Sequence, residues 1–133
     1  MNGAATSIFG ELRLELPANA SCPGIARRAV EGFLVSLDLS PEVVSAVKLA
    51  VTEACSNVVL HAYPVGEGTC RLEASWSDPE FALRVSDTGC GIENPSPNRG
   101  LGVGLDLMAS VADVFEAGPG EVSGTVVSMR FLD

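Results

Sequence analysis

The chain holds 133 residues, one domain's worth, with 47% hydrophobic and 19% charged residues, so a compact core is expected and wholesale disorder is excluded. Eight lysines and arginines stand against seventeen aspartates and glutamates, a formal charge of −9, which argues against a broad grip on nucleic acid or an anionic membrane. No apolar run approaches the ~18 residues of a membrane span. The N-terminus lacks the basic start and apolar stretch of a secretory signal. Cys22, Cys55, Cys70 and Cys90 lie 33, 15 and 20 residues apart without a CxxC pair, and His61 is the only histidine. That pattern disfavours structural zinc and predicts four reduced thiols in a cytoplasmic protein.

Residues 1–7 read as a loose N-terminus and 8–133 as a single domain. Alternation of Phe9, Leu12, Leu14 and Leu16 predicts a half-exposed strand over Ile8–Leu16, ended by Pro17 and Asn19. Ser21 is placed to cap a helix running to about Leu37, with Ile25, Ala29, Val30, Phe33 and Leu34 on one face. Ser40-Pro41-Glu42 is a second helix start, with a capping serine and proline at the first helical position, and that helix runs to about His61. Strands are predicted over Cys70–Trp76 and Phe81–Asp87, then a Gly/Pro-rich loop, a helix over Gly104–Asp113, and strands over Val114–Ala117 and Thr125–Leu132. The order β-α-α-β-β-α-β-β predicts an α/β two-layer sandwich, with helices on one face of a mixed, mostly antiparallel sheet.

Three constellations could carry chemistry. On the second helix Glu53, Asn57 and His61 recur at i, i+4 and i+8 and share a face. A solvated polar stripe is one reading. Asn57 counts against it, being a poor helix former mid-helix, and a carboxylate one turn from an amide can hold magnesium or activate a hydroxyl. In Val85-Ser86-Asp87-Thr88-Gly89-Cys90-Gly91 an acid closes an apolar strand, so Asp87 could accept from a ligand amine while Gly89 and Gly91 let the ligand approach. A plain Asp-Gly turn fits the same residues. Gly100-Leu101-Gly102-Val103-Gly104 leads into a helix whose free N–H groups could cradle phosphate, or it is a flexible connector. It is neither a Rossmann fingerprint nor a P-loop.

Together, in this order, the three resemble the nucleotide-binding motifs of the GHKL ATPase superfamily. Glu53–Asn57 looks like its N box, Asp87–Gly91 its first glycine box, Gly102–Gly104 its second, and Gly124-Thr125 its closing Gly-Thr. The run Thr52–Tyr63, the segment Gly102–Met108 and the length resemble the anti-sigma-factor serine kinases of the RsbW and SpoIIAB type over about residues 10–132. The resemblance implies ATP and magnesium as ligands. Asn57 would hold magnesium, Glu53 would act as base on the attacking hydroxyl, and Asp87, supported by Thr125, would accept the adenine amino group. Gly89 and Gly91 would pass under the nucleotide, and Gly102 and Gly104 would face the phosphates. Arg27 falls at a position used for partner contacts, and His61 is assigned to packing at a helix end. The implied partners are a sigma factor and an anti-sigma-factor antagonist, without direct nucleic-acid or membrane contact. Homodimers are common among such kinases, which leaves a homodimer open here.

One departure concerns the ATP lid. Only seven residues, Glu93–Arg99, separate Ile92 from Gly100, and Arg99 is their only cation and so the one lid candidate for the terminal phosphate. The expected activity is serine/threonine phosphorylation of the antagonist, coupled to sequestration of a sigma factor. A non-catalytic regulator that grips its partner with weak or no ATP turnover competes, supported by the short lid. The catalytic piece of a histidine kinase is disfavoured, since no helix bearing a phospho-accepting histidine precedes the domain.

Overall fold

A computed structural model describes residues 9–91 and 101–133. The elements, in chain order, are β1 (Phe9–Pro17), α1 (Cys22–Val35), α2 (Pro41–Asn57) with a π-helical turn continuing it (Val58–Ala62), β2 (Thr69–Ser77), β3 (Glu80–Ser86), α3 (Leu101–Val111), β4 (Val114–Pro119) and β5 (Thr125–Leu132). The five strands form one sheet in the order β1-β2-β3-β5-β4. Every neighbouring pair is antiparallel, so the sheet is uniform where the sequence predicts a mixed one. Hairpins join β2 to β3 and β4 to β5, and β5 inserts between β3 and β4, which leaves no parallel neighbours among the described strands.

Side-chain alternation separates the two faces. Leu72, Ala74 and Trp76 of β2, Phe81, Leu83 and Val85 of β3, and Val127, Met129 and Phe131 of β5 are buried under the helices. α1 contributes Ala26, Val30 and Leu34, α2 contributes Val47, Ala50, Val51 and Ala54, and α3 contributes Met108. α2 packs against both α1 and α3 and lies in the middle of the helical layer. Together with its π turn it is 22 residues long and apolar enough to cross a bilayer by length and composition, which the absence of an unbroken apolar run did not suggest. Its apolar stripe is the core face of the domain. The opposite face of the sheet carries ion pairs: Arg13 to Glu73 at 3.9 Å, Arg84 to Glu73 at 4.0 Å, and Arg71 to Glu15 at 3.2 Å. Exposed pairs of this kind add little stability, but a one-residue slip of register would turn them into the core.

The helix starts differ in their chemistry. Ser40 is extended (φ −63°, ψ 149°), and its hydroxyl accepts from the Val43 N–H at 3.4 Å, as predicted for a capping serine. Ser21 occupies the equivalent place on α1 but does not cap it. Its N–H and hydroxyl both donate to Asn19 Oδ1, at 3.0 and 2.7 Å, so the asparagine turn captures the serine that the helix would have used. α3 begins at Leu101, three residues before the predicted start. The predicted loose segment 1–7 lies outside the described residues.

All four cysteines are free thiols. Burial is the main cause pushing the Cys22 thiol up to about 12, and a hydrogen bond with Cys55 together with burial drives Cys70 higher still. Both shifts favour the protonated thiol at Cys22 and Cys70.

Candidate functional site

The last turns of α2 carry Glu53 and Asn57 on a half-buried face, while Ala54, Cys55 and Val58 point into the core. The helix then widens into the π turn, a form that recurs at functional sites. Carbonyls at a helix end need outside donors. Ala62 finds one in the Cys90 N–H at 2.8 Å, and the His61 carbonyl accepts from the Cys90 thiol at 3.2 Å. The Asp87–Gly91 loop thereby caps α2. Gly89 makes the approach feasible, because a Cβ at this position would overlap the Ala62 carbonyl. Tyr63 fastens the loop from the other side: its hydroxyl accepts from the Thr88 N–H at 3.0 Å and donates to the Thr69 carbonyl at 2.6 Å. Ser123 closes the ring with a 3.0 Å bond from its hydroxyl to the Thr88 carbonyl.

Asp87 follows the end of β3. Its N–H donates to the Thr125 carbonyl at 3.0 Å, and its carboxylate accepts from the Gly89 N–H at 2.9 Å. Gly124, at φ +80°, lies so close that a Cβ there would stand 2.7 Å from Asp87 Oδ1. Thr125, 8% exposed, is the one polar residue buried as a whole among the described residues. Burial pushes the Asp87 carboxyl above its ordinary value, and the backbone amides of Gly89 and Thr125 pull it partly back. No lysine or arginine pairs with Asp87 among the described residues. A half-buried carboxylate without a counter-ion is suited to accept from a neutral donor such as an aromatic amine.

Asn57 faces α3. Its Nδ2 is buried and has no hydrogen-bond partner. A buried amide left unpaired costs about 1–3 kcal/mol, so a group absent from the protein alone is a natural partner. Gly104 is buried directly against this amide.

The structure thus gathers the predicted residues into two connected groups. Asp87, Gly89 and Thr125 form one, with Gly91 (φ +80°) next to Gly124. Asn57 and Gly104 form the other, with Glu53 one turn before Asn57. The contact of Gly89 with Ala62 joins them. Gly102 and Gly104 fall inside the first turn of α3, where the sequence predicted Gly102 ahead of the helix and Gly104 at its start. His61 lies half-buried in the π turn, at the helix end where packing was expected. Arg99 and the short segment around it lie outside the described residues. Arg27 is exposed on α1 beside Arg28, away from that element's buried face. Lys48 bonds Glu31 at 2.6 Å and, with Arg27 and Arg28, holds its carboxyl below the usual range. Residue-by-residue reading missed the Ala62 carbonyl and Tyr63 as supports, and gave Gly124 no site role beyond its motif.

The chain matches the histidine kinase-like ATPase domain family over residues 16–131. It is 32% identical to the anti-sigma F factor of Clostridium perfringens over 133 residues, covering 90% of this chain and 94% of that protein. It is 30% identical to the anti-sigma F factor of Clostridium kluyveri over 131 residues, covering 90% and 92% respectively. Its fold superposes on the crystal structure of the RsbU and RsbW domains of Rv1364c from Mycobacterium tuberculosis with a TM-score of 0.73 at 17% identity, over 92% of this chain and 32% of that one. With the match spanning nearly every described element, this chain belongs to the histidine kinase-like ATPase domain family, the GHKL grouping that its three motifs resemble.

Proposed function

We propose that this protein is an ATP-dependent serine/threonine kinase of the anti-sigma-factor type, which phosphorylates an anti-sigma-factor antagonist and holds a sigma factor inactive in the cytoplasm. The 32% identity to an anti-sigma F factor along nearly the whole chain supports the class. The observation that carries the nucleotide chemistry is the buried, unpartnered amide of Asn57 against side-chain-free Gly104. The oxygen and nitrogen of an asparagine amide exchange places by rotation, so the same position can offer an oxygen, the donor that magnesium prefers. The residues present therefore fit Mg-ATP.

In this reading Asp87 accepts the adenine amino group and Thr125 supports it, while Gly89 and Gly91 bring backbone close to the base. Gly102 and Gly104 present first-turn N–H groups of α3 to the phosphates. Asn57 is the protein's ligand to magnesium, which supplies neutralisation of phosphate charge when bound. Glu53, one helical turn away, takes the proton of the acceptor hydroxyl. Arg27 contacts a protein partner.

The test is transfer of radiolabelled phosphate from ATP to a candidate anti-sigma-factor antagonist protein, with phosphoamino-acid analysis of the product. Magnesium-dependent label on serine or threonine, absent with Glu53→Gln, is the expected result. Retention of the sigma factor without any transfer would replace this reading with a non-catalytic regulator.

A further inference from the structure

Three of the four cysteines, far apart in sequence, meet in the core. Cys22 opens α1, Cys55 lies in α2 and Cys70 is the second residue of β2. They are 1%, 0% and 1% exposed, their Sγ atoms all lie within 4.8 Å of one another, and Cys55 and Cys70 approach to 3.7 Å. We propose that this triad is a binding site for a trivalent, thiol-seeking centre of the arsenic(III) class, held by three sulfurs that are not among the residues assigned to the nucleotide.

Buried cysteines commonly act as small apolar side chains, and scattered ones would satisfy that role. Convergence of three sulfurs from three separate elements is a further fact, and its dimensions suit a shared centre. Bonds of about 2.3 Å from sulfur to a central ion place three sulfurs about 4 Å apart when planar, and closer when pyramidal. The triad's sulfurs, all within 4.8 Å of one another and with one pair at 3.7 Å, lie close to this spacing.

Charge selects the centre. No histidine, aspartate or glutamate completes the cluster among the described residues. A divalent ion such as zinc on three thiolates would leave net negative charge in an apolar pocket without the fourth ligand that structural zinc takes. The nearby Asp87 carboxylate opposes added negative charge at Cys70. Arsenic(III) on three thiolates is neutral. The step balances without a redox partner: three S–H bonds and three As–O bonds of arsenous acid break, three As–S bonds form, three waters leave, and arsenic stays trivalent. Entry requires only local opening, since Cys22 follows exposed Ser21 and Cys70 follows exposed Thr69. The bound centre would tie α1, α2 and β2 together.

The experiment titrates the reduced full-length protein with sodium arsenite, then measures retained arsenic after desalting, its sulfur neighbours by X-ray absorption, and the melting temperature. One arsenic per chain with three sulfur neighbours and a raised melting temperature is expected, unchanged in Cys90→Ser and lost in Cys22→Ser, Cys55→Ser and Cys70→Ser. A triad variant that fails to fold leaves the test intact, because the three-sulfur count is read on the parent and on Cys90→Ser. Absence of bound arsenic, two sulfur neighbours, dependence on Cys90, or tighter retention of zinc than of arsenic would overturn the proposal.

Discussion

The side-chain amide of Asn57 rests against the Cα of Gly104, where a methyl group would stand 2.9 Å from both Nδ2 and Oδ1. A glycine inside a helix ordinarily costs about 1 kcal/mol relative to alanine. Here the missing side chain lets α3 close onto the amide. Gly104→Ala should therefore forfeit its helix-propensity gain by displacing Asn57, and should weaken magnesium-dependent ATP binding. Calorimetry and a melting curve check it together: a variant that melts higher and binds Mg-ATP like the parent contradicts the coupling.

Asp87 sets ligand affinity against stability. Its native carboxyl titrates above the ordinary value of 3.8 because it is buried. Between 3.8 and that raised value the folded state holds more protons than the unfolded one, so stability falls as pH rises through this window. At neutral pH the charged carboxylate is a burden, and below the window the burden is gone. Asp87→Asn should match or exceed the parent's denaturant midpoint at pH 7, lose that advantage in acid, and bind ATP more weakly by about 1–3 kcal/mol, since Asn can present a donor to the adenine amine. Unchanged ATP affinity would remove Asp87 from the adenine contact.

Glu53 and Asn57 should separate chemistry from binding. Glu53→Gln keeps shape and removes the base, so ATP binding should persist while phosphate transfer falls by ~10²–10⁴-fold. Asn57→Ala should weaken binding itself, and only in the presence of magnesium. Parental transfer by Glu53→Gln would assign the proton to another group.

Tyr63→Phe tests the clasp between the end of α2 and the glycine loop. The hydroxyl serves both the Thr88 N–H and the Thr69 carbonyl, and its removal should cost about 0.5–1.5 kcal/mol in urea unfolding with an unchanged slope. Faster hydrogen exchange at the Thr88 and Cys90 amides should accompany it. An unaltered midpoint and exchange rate would mean that water replaces the hydroxyl fully.

Arg27→Glu should weaken capture of the cognate sigma factor and leave ATP affinity intact. The residue is exposed on α1 and takes no part in that helix's buried face. Unchanged sigma capture in a pull-down would remove it from the interface.

The sequence by itself determined the elements and the order of the motifs, because both are local. β5 spans Thr125–Leu132, the bounds predicted for the closing strand, and Ser40-Pro41 opens α2 with the capping bond its residue types allow. Glu53 and Asn57 fall one turn apart through helix geometry alone. Tertiary structure decided everything that depends on two distant segments meeting. Leu101 and Gly102 join α3 although glycine disfavours helix, in keeping with Gly104 packing on Asn57. Gly124 is tied to Asp87 by their contact across the β3–β5 pair. The sheet is antiparallel throughout because β5 inserts between β3 and β4, a choice no strand's own pattern records. The cysteine spacings of 33 and 15 residues describe no ligand motif, yet α1, α2 and β2 bring their three sulfurs together. Periodicity reports which face of an element is apolar, and the side chain each face finds opposite depends on how the elements pack.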